Sequence, residues 1–349
     1  MMATPMYTIQ SLGTLGGGSF GTAVNNSGQV SGYSFTGNGT KLHPFLWDGG
    51  VLHDLGTLLP PGVNTQALGW GINDAGTVVG GSGTSLNVDH AFRSNATGCI
   101  DDLSLGQPYH STGLAINNSG QITGYSQSTG QARVFRSNSG GVLVELGTLG
   151  TGNLSVGRGI NNLGQVTGGA NIISGGQLHA FRTDVTGTLF DLGVLSGGDQ
   201  SQGLAINDSG QVVGYSTVAG PIRTTHAFRT NIGGGLEDLG SLGGGSVGYG
   251  INNAGWTVGI SATSTFTNVA FLHDGTGMID LNTILVDGVG WLLTEATGIN
   301  DLGQIVGTGT FNGESRAFLL TPVSDVPEPS AWMLAGMGLA AMAVRTRRS

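Results

Sequence analysis

The chain has 349 residues, of which 9% are charged, and its formal net charge is −9; ordinary soluble domains carry roughly 25% charged residues. Lys41 is its one lysine, and three of its eleven arginines sit in the last five residues. The body therefore lacks the clustered cations that a nucleic-acid backbone requires, and nucleic acid is excluded as a partner. Cys99 is the one cysteine, which excludes an intrachain disulfide and a cysteine-based metal site.

Taken from the N-terminus, the first expected element is a strand over Tyr7–Gly13. A hairpin string follows, "VNNSGQVSGYS" at Val24–Ser34, and it returns six times. The copies are "INDAGTVVGGS" from Ile72, "INNSGQITGYS" from Ile116, "INNLGQVTGGA" from Ile160, "INDSGQVVGYS" from Ile206, "INNAGWTVGIS" from Ile251 and "INDLGQIVGTG" from Ile299. The leading asparagines Asn25, Asn73, Asn117, Asn161, Asn207, Asn252 and Asn300 are spaced by 48, 44, 44, 46, 45 and 48 residues. Two further motifs keep step, one centred on Phe45, Phe92, Phe135, Phe181, Phe228, Phe271 and Phe318, the other resembling "DLGTLG".

Asn-Asn/Asp-x-Gly between β-branched runs predicts a tight antiparallel hairpin closed by a glycine in the left-handed region. Gly28, Gly76, Gly120, Gly164, Gly210, Gly255 and Gly303 hold that place. A second glycine in each copy, such as Gly32 or Gly168, falls in mid-strand, where a close neighbour must exclude a side chain. The Phe strand and the "DLG" strand complete four strands per repeat, with no helical period in the body. Four antiparallel strands every 40–50 residues mark a propeller blade. The rival, a β-solenoid, stacks its strands in parallel and would not use these turns. The fold expected is all-β, a seven-bladed β-propeller over residues 7–322. Its last repeat, ending near Arg316–Thr321, lacks a fourth strand, and Tyr7–Gly13 is the spare that supplies it. Arg93, Arg136, Arg182 and Arg229 each precede an acid by nine residues (Asp102, Glu145, Asp191, Asp238), which predicts cross-strand pairs on one face.

The "HAF" triplets at His90–Phe92, His179–Phe181 and His226–Phe228, with "INxxGQVVG" and "DLGTLGG", resemble the bacterial HAF-repeat extracellular proteins. The resemblance covers about residues 7–322 and implies export without a defined chemistry. The tail from Val326, "VPEPSAWMLAGMGLAAMAVRTRRS", resembles a PEP-CTERM sorting segment. Its parts are the motif Val326, Pro327, Glu328, Pro329 in a linker over 323–330, then a sorting segment over 331–349. That segment has an apolar run Ala331–Val344 and a basic stop at Arg345, Arg347 and Arg348. The 14 apolar residues would make a tail helix of about 21 Å, short of the ~30 Å hydrocarbon core. The basic end stays cytoplasmic, placing the propeller outside. The resemblance implies a membrane peptidase, an exosortase, as partner at the tail, and an extracellular or cell-surface location with transient membrane anchoring. Met1–Gln10 shows neither a basic nor an apolar signal region, so the expectation is a start further upstream, with a trimmed signal or another export route as the alternatives.

The repeated histidines (His43, His90, His179, His226) and repeated "DLG" acids read as blade-building hydrogen-bond partners, since catalytic groups break symmetry and these keep it. No metal, no cofactor and no catalytic residue is expected. The unrepeated residues Trp47, Trp70, Trp256, Trp291, Tyr109, His110, Arg158 and Glu295 are the candidates for recognition. The function expected is that of a non-enzymatic, monomeric propeller with a structural or interaction role at the cell surface, within an exopolysaccharide matrix. The alternatives are a glycan-binding module that stacks sugars on the unrepeated aromatics and a propeller hydrolase or lyase.

Overall fold

The computed structural model describes residues 5–323, apart from 38, 61–64, 86–87, 105–106, 129, 139, 221–223 and 232–233. The sorting motif Val326–Pro329, the tail helix expected after it and the arginines at 345, 347 and 348 lie outside the described residues.

Seven four-stranded antiparallel sheets form a seven-bladed β-propeller. Blade 1 runs Gly16–Val24, Val30–Thr36, Lys41–Asp48, Val51–Asp54, from the axis outward. The first strands of neighbouring blades touch one another around the ring, which makes them the innermost. Blade 7 contributes Trp291–Ile299, Ile305–Phe311 and Glu314–Pro322, and its outermost strand is the N-terminal Tyr7–Ser11. The pairing runs from Tyr7 opposite Pro322 to Ser11 opposite Phe318. This closure leaves the ring without an open blade.

The seven repeat phenylalanines are fully buried. They lie between blades rather than within one. Phe181 packs with Val134 of the preceding blade, Phe228 with Ala180, Phe271 with Ala227, and Phe45 with Ala317 across the closure. The residue before each phenylalanine also staples the interface. Ala91, Val134, Ala180, Ala227 and Ala317 donate their backbone N–H, over 2.8–3.0 Å, to a buried serine of the next blade. The small residue of "HAF" is thus a contact between blades.

The mid-strand glycines sit where a Cβ cannot. A Cβ at Gly32 would lie 2.1 Å from the Phe20 carbonyl oxygen, and one at Gly168 would lie 1.8 Å from that of Val156.

The expected Arg–carboxylate pairs do not form. Asp191 stands opposite Phe181, and Arg182 stands opposite Phe190. The same offset places Asp102 opposite Phe92 and Asp238 opposite Phe228. The acid therefore shares a face with the histidine two residues before Phe. His43, His90, His179 and His226 meet Asp54, Asp102, Asp191 and Asp238 at 2.8–3.0 Å. Freed from the acid, the arginines reach across to the next blade. Arg136, Arg182 and Arg229 donate to the carbonyls of turn glycines Gly164, Gly210 and Gly255 at 2.6–2.7 Å.

Candidate functional site

The innermost strands run towards one mouth of the axis, where the Asn hairpins lie. The turn glycines there have φ between 76° and 81°, a region that costs other residues energy. In each hairpin the leading asparagine does two jobs. Its Oδ1 accepts backbone N–H groups of its own turn, as Asn161 does from Leu163 and Gln165. Its Nδ2 donates to the backbone carbonyl of the equivalent asparagine one blade on: Asn25 to Asn73, Asn73 to Asn117, Asn117 to Asn161, and so on to Asn300, which donates to Asn25. These seven bonds of 2.9–3.3 Å form a closed ring.

A second ring encloses it. The backbone N–H of Asn26 donates to Asp74 Oδ1, Asp74 to Asn118, Asn118 to Asn162, Asn162 to Asp208, Asp208 to Asn253, Asn253 to Asp301, and Asp301 back to Asn26, at 2.8–3.0 Å. The shallow opening is about 160 Å³. Its donors are spent on one another, and its carboxylates Asp74, Asp208 and Asp301 make it anionic. This mouth is a clasp.

The opposite mouth is built differently. Each innermost strand carries a β-bulge centred three residues before its hairpin asparagine, between Gly21 and Ala23 in blade 1 and at the equivalent place in every other blade. A bulge leaves one residue without a ladder partner and re-aims its side chain. The seven bulged residues are Thr22, Trp70, Leu114, Arg158, Leu204, Tyr249 and Thr297, and all seven line one axial cavity of about 340 Å³. Phe20, Tyr33, Glu295 and Thr308 join them. Here the displayed residue changes from blade to blade, except across the closure, where Thr297 and Thr22 match.

The aromatic side chains form a run. Phe35 meets Phe20 edge-on at 6.3 Å, Phe20 stacks on Tyr33 at 5.0 Å, and Tyr33 meets Trp70 edge-on at 5.6 Å. The axial cavity shares Trp70, Leu114 and Arg158 with a groove of about 830 Å³ along blades 2 and 3, which also holds Tyr125, His110 and Asp89. It shares Phe20 with a third hollow of about 470 Å³ at the seam of blades 7 and 1, lined by Gly16, Gly17, Phe35 and Arg316.

The charged groups feel their enclosure. Burial raises the Glu295 carboxyl above its ordinary range and lowers the Arg158 guanidinium. Tyr33 and Tyr249 are raised by burial first and by the Glu295 carboxylate second. Such a surface can stack flat apolar faces, donate and accept hydrogen bonds, and, within the axial cavity, offer the Arg158 cation. Among the described residues lining the axial cavity, Glu295 is the one carboxyl.

Of the unrepeated candidates, Trp70, Arg158 and Glu295 meet in the axial cavity and His110 in the adjoining groove. Trp47 is buried in a core cluster, Trp256 packs against another, and Trp291 lies at 5.0 Å from Phe311. Tyr109 lines none of these cavities. Thr22, Leu114, Leu204, Tyr249 and Thr297 gave no individual signal. A collective one exists: before every hairpin asparagine the sequence reads small, variable, small, aliphatic, as in "GTAV", "GWGI", "GRGI" and "ATGI". The variable letter is the bulge.

Residues 325–348 match the PEP-CTERM protein-sorting motif. The motif implies an exported, cell-surface protein whose tail is processed by an exosortase. Among curated proteins none matches the chain. Solved structures resembling it include a putative TolB from Agrobacterium tumefaciens, with 12% identity over 72% of this chain and 89% of that one and a TM-score of 0.43. A putative gluconolactonase shares 12% identity over 90% and 92% of the two chains, with a TM-score of 0.41. Trypanosoma rangeli sialidase in complex with the inhibitor DANA shares 10% identity over 88% and 55%, with a TM-score of 0.38.

Proposed function

We propose that this exported propeller is a non-enzymatic binding protein that takes a glycan chain of the surrounding matrix into its unrepeated mouth. The observation that carries the reading is the Phe35–Phe20–Tyr33–Trp70 run, which flanks a cavity lined by seven bulge residues of five kinds. Aromatic faces beside hydroxyls and amides suit sugar rings, which are apolar on their faces and polar at their edges. We read the body as a HAF-repeat protein, supported by the His-Ala-Phe triplets and by the contacts their alanines make between blades. Exosortase processing at the tail then leaves the propeller at the cell surface or in the matrix.

The test is a glycan array probed with the full chain and with Trp70→Ala and Tyr249→Ala. Binding to a subset of glycans that both variants weaken is expected. Absence of binding to every glycan would remove the reading. Release of reducing ends from a bound glycan would move the protein to the hydrolases.

A further inference from the structure

Arg158 is the arginine that lines the axial cavity, and like Arg93 and Arg133 it has no hydrogen-bond or ion-pair partner among the described residues. Arg136, Arg182 and Arg229 are occupied by turn carbonyls, and Arg316 by Glu314. Arg158 lines both the axial cavity and the groove beside it. Among the described residues its guanidinium makes no hydrogen bond and no ion pair. Trp70, Leu114, Tyr125 and Tyr215 lie around it, and Asp89, the carboxylate on the same groove, faces His110 at 3.9 Å and makes no ion pair with Arg158. Glu295 does not answer it, for it sits on blade 7, three blades round the ring, and its shift is set by burial and by Thr308.

A guanidinium held in a cleft without a partner is set up for an anion, and its planar fork matches a carboxylate with two parallel hydrogen bonds. The other mouth carries Asp74, Asp208 and Asp301 and repels such a ligand. The three hollows are linked through Phe20 and through Trp70, so the path past Arg158 is elongated, which fits a chain better than a single ring.

We propose that the mouth binds an acidic polysaccharide, a uronate-containing chain whose carboxylate is received by Arg158 while neighbouring rings lie along the Phe20–Tyr33–Trp70 track. The proposal rests on the glycan-binding reading and names its ligand class. Arg158 is the specificity-determining residue and Trp70 the stacking residue common to acidic and neutral sugars.

Calorimetry on the full chain tests it with oligomers of galacturonate, mannuronate, guluronate and glucuronate, each paired with its methyl ester, and with polyglutamate. At least one uronate oligomer binds the wild type about tenfold or more tighter than its ester, the factor that a charge-assisted hydrogen-bond pair supplies. Arg158→Gln brings the acid down to the level of the ester, Arg158→Lys keeps part of the preference, and Trp70→Ala weakens both forms alike. The melting temperature of Arg158→Gln stays at the wild-type value, since the side chain holds no other group. Neutral glycans binding as well as uronates, or Arg158→Gln keeping the preference, would overturn the acidic class and leave the glycan site standing. Polyglutamate binding as tightly would replace the saccharide by an acidic peptide. Binding of no sugar, acidic or neutral, would overturn the glycan reading and this proposal with it.

Discussion

The two mouths of the axis are made by the same seven strands and follow opposite rules. At the clasp, the leading asparagine and the residue after it each bond the equivalent residue of a neighbouring blade, so a change in one blade breaks a bond to another. At the open mouth only the backbone repeats. The bulge recurs in all seven blades, but the residue it displays ranges from Thr22 to Trp70 to Arg158. A repeat holds its sequence where its partner is another copy of itself, and loses it where the partner comes from outside.

Four experiments sharpen or break this contrast. The largest effect is expected at the clasp. Asn161 is 3% exposed, and Asn161→Ala removes its donations to Asn207 and to the Gln165 side chain and its two turn bonds. Chemical denaturation should show a loss of about 2–4 kcal/mol, with glycan binding unchanged. Leu204→Ala at the bulge should stay within about 1 kcal/mol of wild type. Equal losses at the two mouths would end the division.

Next comes Trp70→Ala, expected to weaken glycan binding by about tenfold with little change in melting temperature. A smaller effect separates the histidine pair from the expected arginine pair. A double-mutant cycle on His179 and Asp191 should give a coupling of about 0.2–1 kcal/mol, and one on Arg182 and Asp191 none.

The smallest is a pH effect. Glu295 holds its proton more tightly folded than unfolded, because burial raises its pKa above the ordinary 4.5. Its ionisation therefore costs the folded state stability as pH rises above that value, and the cost is relieved on acidification. Glu295→Gln should melt higher than wild type at neutral pH, with the gap closing as pH falls towards 4.5. A gap that widens on acidification would show a carboxylate stabilised by an unseen cation.

The fold was legible because repetition is a global signal. Seven asparagines in step specify seven hairpins, and a missing fourth strand at one end with a spare at the other specifies closure. The site was legible in part, since Trp70, Arg158 and Glu295 show themselves by failing to repeat. The bulge did not, because it is a property of register, two residues against one, and a lone Thr22 or Leu204 carries no mark of it. Register also misled the reading of Arg182 and Asp191. A separation of nine was counted as if the hairpin were symmetric, whereas its loop sets Asp191 opposite Phe181 and shifts the arginine to the other face.

The bulge has a consequence for how such a protein changes over generations. Each displayed residue hangs between two small neighbours and engages no ladder partner, so exchanging it moves recognition while leaving the stability threshold nearly where it was. Seven such letters can drift separately, and duplicating or reordering a blade would permute them around the axis while the asparagine network closed as before. One inherited scaffold can therefore supply a lineage with many specificities.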